Sequence, residues 1–272
     1  MTFCIVHTSR LNCTKQCIDA IERYTNVKYC VNLLRQGYTD EETETYLEKL
    51  EEKNNVEVIR LEKNIGVSAG RKLLIDKTKT PIVMTLDNDI YVTKGWVTPI
   101  LKIFNEYEDI AFIGIPRYKL NGELDGLGGR RIEIINNVVY TEEPEVEQNK
   151  PFIVVDDVCG AILFRQDVKS EFSFDPQFFM AFSDLDKGLQ LLASKWKKVV
   201  CLGSRVIHDQ VGRKDLNYIA ERVNHPETSR AYAKFRKKWR VRLSFKEHII
   251  YKYVYPFIPS QVYKTLYKLK NR

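Results

Sequence analysis

Pro81-Ile-Val-Met-Thr-Leu-Asp-Asn-Asp89 is the stretch on which the fold turns. Pro81–Leu86 is a short apolar run bounded by a proline and by acids, which reads as a buried strand. Asp87 and Asp89 stand two residues apart at its mouth, where their oxygens can meet one hard divalent cation that in turn holds a diphosphate. Asp and Asn also end strands and start turns, so the triplet alone equally reads as a strand terminus. Context favours the first reading. Just upstream, Asn64-Ile-Gly-Val-Ser-Ala-Gly-Arg71 is a glycine-punctuated turn running into Leu73-Leu74-Ile75, and backbone N–H groups there would face an anion.

Outward from this junction the pattern alternates. Thr2–Thr8 reads as a strand, followed by Cys13, Cys17, Ala20, Ile21 and Tyr24 at helical spacing. Lys28–Leu34 is expected as a second strand, and Thr39-Asp40-Glu-Glu-Thr supplies cap and first-turn acids for a helix to about Lys53. Val56–Leu61 is a third strand, a helix opened by Gly70 follows, then the strand Pro81–Leu86, a helix over Val97–Tyr107 and a strand over Ile110–Ile115. This βαβ alternation predicts an α/β fold with a mainly parallel, doubly wound sheet flanked by helices. Ligands collect at the carboxyl ends of strands in such sheets, where Asp87–Asp89 would lie.

Residues 117–150 are less regular, with scattered glycines, acids over Glu142–Glu147 and a short β-like run at Ile132–Tyr140; they read as an excursion over the site, a hairpin among them. Val158–Phe164 is expected as a returning strand. Ser183-Asp-Leu-Asp186 is expected to cap a helix to about Lys195, with Lys198–Leu202 and Arg205–His208 closing the block.

Length and composition fit one soluble domain with an appendage: 272 residues, 44% hydrophobic and 29% charged. Phe3-Cys-Ile-Val6 is too short for the apolar core of a signal peptide, and no run approaches the roughly 18 apolar residues of a membrane span. The six cysteines are scattered; Cys13 and Cys17 read as the apolar face of a helix, and a reducing cytosol is expected, with peripheral association at the inner face of a membrane. The charge is asymmetric. From Arg230 to Arg272 there are 13 Lys or Arg and one acid, a net of +12; since the whole chain is +7, residues 1–229 carry −5. Ten of the 31 aromatic residues share that tail. Such a segment reads as helices packing their aromatic side on the domain, as a surface for an anionic membrane, or, less favoured, as a nucleic-acid contact. The expected division is therefore 1–229, in halves 1–116 and 117–229, and a basic aromatic tail, 230–272.

Four pieces in order carry a resemblance: Asn64-x-Gly66-x-x-x-Gly70-Arg71, Leu86-Asp-Asn-Asp89, Phe174-Asp-Pro-Gln-Phe178-Phe179 leading to Asp184-Leu-Asp186, and His208 after a strand. Together they resemble the inverting glycosyltransferases of family 2, with the GT-A fold, over roughly residues 2–212. The resemblance implies a nucleoside diphosphate-sugar donor, Mn²⁺ or Mg²⁺ on Asp89, Asp87 beside the ribose or the metal's waters, and His208 as a further ligand or phosphate contact. It implies a donor site that draws on Thr8, Ser9, Arg10, Asn64, Gly66, Arg71, Asp87 and Asn88. It makes Asp184 the base toward a hydroxyl acceptor, with Asp186 second, because Ser183 stands where most members have Glu. The plainer readings are a satisfied polar histidine at 208, an ordinary helix-surface arginine at 71, helix capping by Ser183 or Asp184, packing for Trp96, and core for Phe178 and Phe179. One departure concerns the base: the family's acidic residue after the second strand is replaced in Arg35-Gln-Gly-Tyr38, and Arg35 accepts no hydrogen bond. Either backbone groups near Thr8–Arg10 grip the base, or the donor nucleotide is an unusual one.

The expected activity is sugar transfer to a hydroxyl on a cell-surface glycan or lipid-linked precursor. Transfer to a modified base in DNA is the alternative. From other classes, a nucleotidyltransferase would use the same carboxylates and metal but release pyrophosphate, and a non-catalytic glycan-binding protein would not depend on Asp184.

Overall fold

Strand and helix alternate through the first half of the chain: β1 (Thr2–His7), α1 (Leu11–Tyr24), β2 (Cys30–Gln36), α2 (Glu41–Glu51), β3 (Val56–Leu61), α3 (Val67–Lys77) and β4 (Ile82–Asp87). Then come β5 (Ile90–Val92), α4 (Val97–Glu106), β6 (Ile110–Gly114), β7 (Arg117–Tyr118), β8 (Leu124–Gly126), β9 (Gly129–Ile135) and β10 (Val138–Glu142). The chain continues with β11 (Phe152–Val155), β12 (Asp157–Val158), β13 (Ile162–Arg165), α5 (Ser183–Leu192), β14 (Lys197–Cys201), β15 (Val206–His208), α6 (His225–Trp239) and α7 (Phe245–Ile249). The computed structural model describes residues 1–37, 39–146, 149–209 and 225–254.

The main sheet has eight strands in the order β11-β14-β6-β13-β4-β1-β2-β3. β1 is central and pairs in parallel with both β2 and β4, with Val6 opposite Asp87. The carboxyl ends of β1 and β4 therefore open at the same edge, bringing Thr8–Arg10 beside Asp87–Asp89. Burial explains the apolar run: Val83, Met84, Thr85 and Leu86 are all in the core. On α1, Cys13, Cys17, Ile18 and Ile21 form the buried face, and all six cysteines are free thiols. Asp40 caps α2 by accepting from Thr43 N at 2.8 Å, as the sequence predicts.

Several expectations shift. The second strand starts at Cys30, and α3 starts at Val67, with Gly66 at its N-cap (φ 86°). Gly70 lies inside the helix, where a Cβ would stand 3.0 Å from Leu34 and 3.3 Å from Val6; it serves close packing of α3 on the sheet. The expected strand over 158–164 is broken by Gly160 (φ 77°) into β12 and β13. β13 then runs antiparallel to both β4 and β6, and β11 antiparallel to β14, so the sheet is mixed, with the four strands β4-β1-β2-β3 mutually parallel. α5 ends at Leu192, short of Lys195. Within 117–150, β9 and β10 form a hairpin whose turn residues, Asn136 and Asn137, both have positive φ, the backbone that a tight hairpin turn requires.

The boundary drawn at 229 falls within α6. Tyr232 and Phe235 are buried against Phe178, Leu185 and Leu189, so this part of the tail packs its aromatic side on the domain. Phe182 stacks within 5.5 Å of Tyr232 and 5.2 Å of Phe235. Phe245 and Tyr253 remain exposed beside Lys246 and Lys252. Tyr38, Glu147 and residues 255–272 of the tail lie outside the described residues. Among the described residues no helix is long and apolar enough to cross a membrane.

Candidate active site

Arg71 organises the site. It rises from the buried side of α3 and donates from Nη2 to Asp87 Oδ1 at 2.8 Å and from Nη1 to Asp184 Oδ1 at 3.0 Å. Its guanidinium is almost wholly buried, over the ring of Phe174 at 5.2 Å. It is therefore no surface arginine. One cation joins the end of β4 to the start of α5, residues 113 apart in sequence for the Asp184 contact. Burial pushes the Asp184 carboxyl up, but Arg71, Lys187 and Arg130 together hold it below the usual carboxylate range.

α5 has no side-chain cap. Its N-cap is Phe182 at φ 69°, and Ser183 and Asp184 sit in the first turn with their side chains engaged elsewhere. Ser183, buried, accepts from Ser68 Oγ at 2.7 Å, which ties the starts of α3 and α5 together. The short hydroxyl side chain at 183 makes this contact. Deeper still, Asp157 and Lys187 are fully buried and paired, and Arg130 donates to Asp157 Oδ2 from Nε (2.9 Å) and Nη2 (2.7 Å). Lys187 also donates to Val158 O at 2.6 Å. This ionic cluster fixes α5 against β12 and β9 and so sets where Asp184 stands.

Asp186 is engaged differently. Its fully buried carboxylate accepts from Trp239 Nε1 at 2.8 Å, Lys238 Nζ at 2.9 Å and Gln190 Nε2 at 2.8 Å. These bonds dock α6 on α5. Asp186→Asn is expected to cost about 2 kcal/mol of stability, since a buried charge partner is lost while Lys238 keeps Asp175. The folded variant should turn over within about tenfold of wild type. Chemical denaturation and steady-state kinetics check both; a thousandfold loss of kcat at unchanged stability would make Asp186 the base.

The second cluster gathers on Asp89. Arg10, at the N-cap of α1 with φ 64°, donates from Nη1 to Asp89 Oδ2 at 2.9 Å. β15 pairs antiparallel with β5, His208 opposite Ile90, and this register carries a residue from late in the chain to the D-N-D turn. His208 Nε2 lies 3.6 Å from Asp89 Oδ2, and Asp209 N donates to Asp89 O at 2.8 Å. His208 Nδ1 is 2.7 Å from Asp125 Oδ2. A carboxylate only accepts, so Nδ1 carries the proton and Nε2 is the nitrogen turned to Asp89. Burial pushes Asp89 up, but His208 and Arg10 outweigh it and hold the carboxyl below its ordinary value. Burial lowers His208, and Asp89 and Asp125 reverse this and raise it.

The donor set fits a divalent cation: one carboxylate oxygen and one imidazole nitrogen face each other, with the ring fixed through its other nitrogen, as in many metal sites. Among the described residues no three acidic, histidine or cysteine side chains form a protein cage. Asp87 is held by Arg71 rather than brought into this pair.

The remaining expected residues frame the cleft. Asn88 donates to Ser9 O at 3.0 Å and to Thr14 Oγ1 at 2.9 Å, locking the D-N-D turn to the loop Thr8–Arg10. Asn64 Oδ1 accepts from Gly66 N at 2.9 Å, an Asx turn. Gly66 lets Phe179 approach: a Cβ there would meet Phe179 O at 2.5 Å, and Val67 N donates to that same oxygen at 2.7 Å. The first N–H of α3 is thus already bonded within the chain. Arg35 pairs with Glu44 at 2.8 Å and donates to Leu61 O at 3.0 Å, bracing β2 on β3. Trp96 and Phe178 are core. Sequence reasoning did not single out Asp125, Arg130, Asp157 or Lys187, because charged residues scattered over four elements leave no local pattern.

The fold is shared with glycosyltransferases of GT-A type. A crystal structure of GalNAc-T7 with UDP, GalNAc and Mn²⁺ superposes with a TM-score of 0.65 at 14% identity, covering 93% of this chain and 57% of that one. The chain thus spans a little over half of GalNAc-T7. Residues 1–349 of S. aureus TarS superpose at a TM-score of 0.57 and 12% identity, covering 93% of this chain and 74% of that one. Among curated protein sequences none is significantly similar to this chain. The strand that ends in Asp87, the α3 turn and the β13 return all fall within residues 2–172, which match the profile described as Glycosyl transferase family 2, and the chain belongs to that family.

Proposed function

We propose that the chain moves a sugar from a nucleoside diphosphate-sugar to an acceptor hydroxyl with inversion, and that Asp184 is the base. The observation that carries this reading is Arg71, whose one guanidinium binds both Asp87 at the strand end and Asp184 at the helix start. Donor and acceptor halves of the cleft thereby meet within one side chain's span. The acceptor oxygen forms a bond to the anomeric carbon as the bond from that carbon to the phosphate oxygen breaks, and the leaving nucleoside diphosphate takes the electron pair. The hydroxyl proton passes to Asp184, held ionised by its cationic neighbours. Attack from the face opposite the leaving group inverts the centre.

Asp89 and His208 would hold Mn²⁺ or Mg²⁺, which, when bound, neutralises charge on the diphosphate as a Lewis acid. Diphosphate oxygens and water would complete the coordination. Arg10, now on Asp89, would offer its charge to the same phosphate. UDP and Mn²⁺ accompany GalNAc-T7, which makes them the first pair to test.

Calorimetric titration of UDP with Mn²⁺ into wild type and Asp89→Ala tests the assignment. Binding is expected in wild type and at least tenfold weaker in the variant, with circular dichroism unchanged. Equal binding by both proteins would remove Asp89 from the donor site.

A further inference from the structure

A groove of about 520 Å³ opens at Asp184, between β10, the 180–185 turn and the C-terminal helices α6 and α7. Its size falls within the roughly 300–1,000 Å³ range of small-ligand sites. We infer that this groove receives the acceptor and that the acceptor is a neutral saccharide, an inference that rests on the transferase reading above.

The lining carries the argument. Tyr140, Phe182 and Tyr251 present rings to it, and Phe182 is fixed edge-on to Tyr251 at 5.5 Å. Flat rings suit the C–H faces of a pyranose, while the Thr141 hydroxyl and the Ser244 oxygen, which donates to Glu247 Oε2 at 2.8 Å and can still accept, suit its hydroxyl groups. Val139, Met180 and Leu243 add apolar wall, but hydroxyls and the Asp184 and Glu247 carboxylates interrupt it, which suits a saccharide better than a lipid tail. Charge opposes a polyanion. Among the described lining residues Arg130 is the cation and is already bonded to Asp157, whereas Asp184 and Glu247 are both acids. Among the described residues of the tail, Leu243, Ser244, Glu247 and Tyr251 line the groove, and the charged one is the acid. A nucleic-acid backbone needs the reverse arrangement.

The C-terminal segment is then a wall of the acceptor site. Val139 N donates to Arg242 O, Leu243 N to Tyr232 OH, and Tyr232 OH meets His248 Nδ1 at 2.8 Å, so β10, α6 and α7 form one frame around the groove.

The test applies the full chain to an array of neutral oligosaccharides, of sulfated and uronic oligosaccharides, and of a single-stranded oligonucleotide. Tyr140→Ala and Glu247→Gln, both exposed positions that leave the core intact, are compared with Tyr253→Ala, exposed outside the groove. Retention of neutral saccharides, weakened about tenfold by the two groove variants and unchanged in Tyr253→Ala, is expected. Preference for the anionic ligands, or retention indifferent to both groove variants, would overturn the inference. UDP, GDP and dTDP, each with Mn²⁺, are titrated into the same preparation. Binding of one nucleotide with no saccharide retained would overturn the acceptor class alone; no nucleotide bound and no saccharide retained would overturn the underlying reading and this inference with it.

Discussion

Asp184→Asn is expected to lower kcat about a thousandfold while donor affinity stays close to wild type and stability falls by about 1 kcal/mol, the share of a half-exposed ion pair. The amide keeps the oxygen that accepts from Arg71 Nη1, so the ion-paired geometry at the start of α5 is largely preserved. What disappears is the capacity to take the acceptor's proton. The pH profile adds a second signature. A base works when ionised, so activity falls as pH drops through its pKa. Burial opposes ionisation of Asp184, but Arg71, Lys187 and Arg130 override it, so that acid limb is expected below the ordinary aspartate value of about 3.9. A loss of less than tenfold in kcat would remove Asp184 from proton transfer.

Arg71→Met has the larger effect on the fold, about 3 kcal/mol at neutral pH. The methionine stem still packs on Phe174, but Asp87 and Asp184 lose their shared counter-charge and face each other as like charges. Both carboxylates reach water in part, which places the cost at the lower end of that for a broken buried pair. The sign with pH is specific. Asp184, whose folded pKa is held down by Arg71 against the effect of burial, contributes stability above its unfolded value and loses it as pH falls. Without Arg71 that contribution is absent, so wild type and variant converge as pH falls below about 4, through the depressed folded value of Asp184. The acid limb of activity moves to higher pH in the same variant, because the largest force lowering Asp184 is gone. Urea denaturation at neutral and acidic pH checks the first statement; a pH-independent difference would mean that Arg71 acts by packing alone.

Much of this site is legible in the amino-acid sequence, and the reasons are local. A continuous apolar run ending in carboxylates can hardly be other than a buried strand mouth, and β4 with Asp87–Asp89 is where that run predicts. Strand direction is another matter. The pattern of Ile162–Arg165 is that of any buried strand, and only its neighbours make β13 antiparallel. Gly66 and Gly70 look alike in sequence; which of them takes positive φ depends on Phe179, more than a hundred residues away. Asp184 and Asp186 are likewise equivalent by spacing. Trp239 and Lys238, which occupy Asp186, lie more than fifty residues on, and nothing in the local sequence announces that contact. Strands of two or three residues, such as β5, β7 and β8, are too short for any periodicity to show.

The central claim is tested most directly by nucleoside diphosphate release from a panel of UDP-, GDP- and dTDP-sugars, with Mn²⁺ and with chelator, for wild type, Asp89→Ala and Asp184→Asn. Release from one donor, dependent on the metal and lost in both folded variants, is the predicted result. Release that persists undiminished in either variant, or pyrophosphate in place of nucleoside diphosphate, would contradict it.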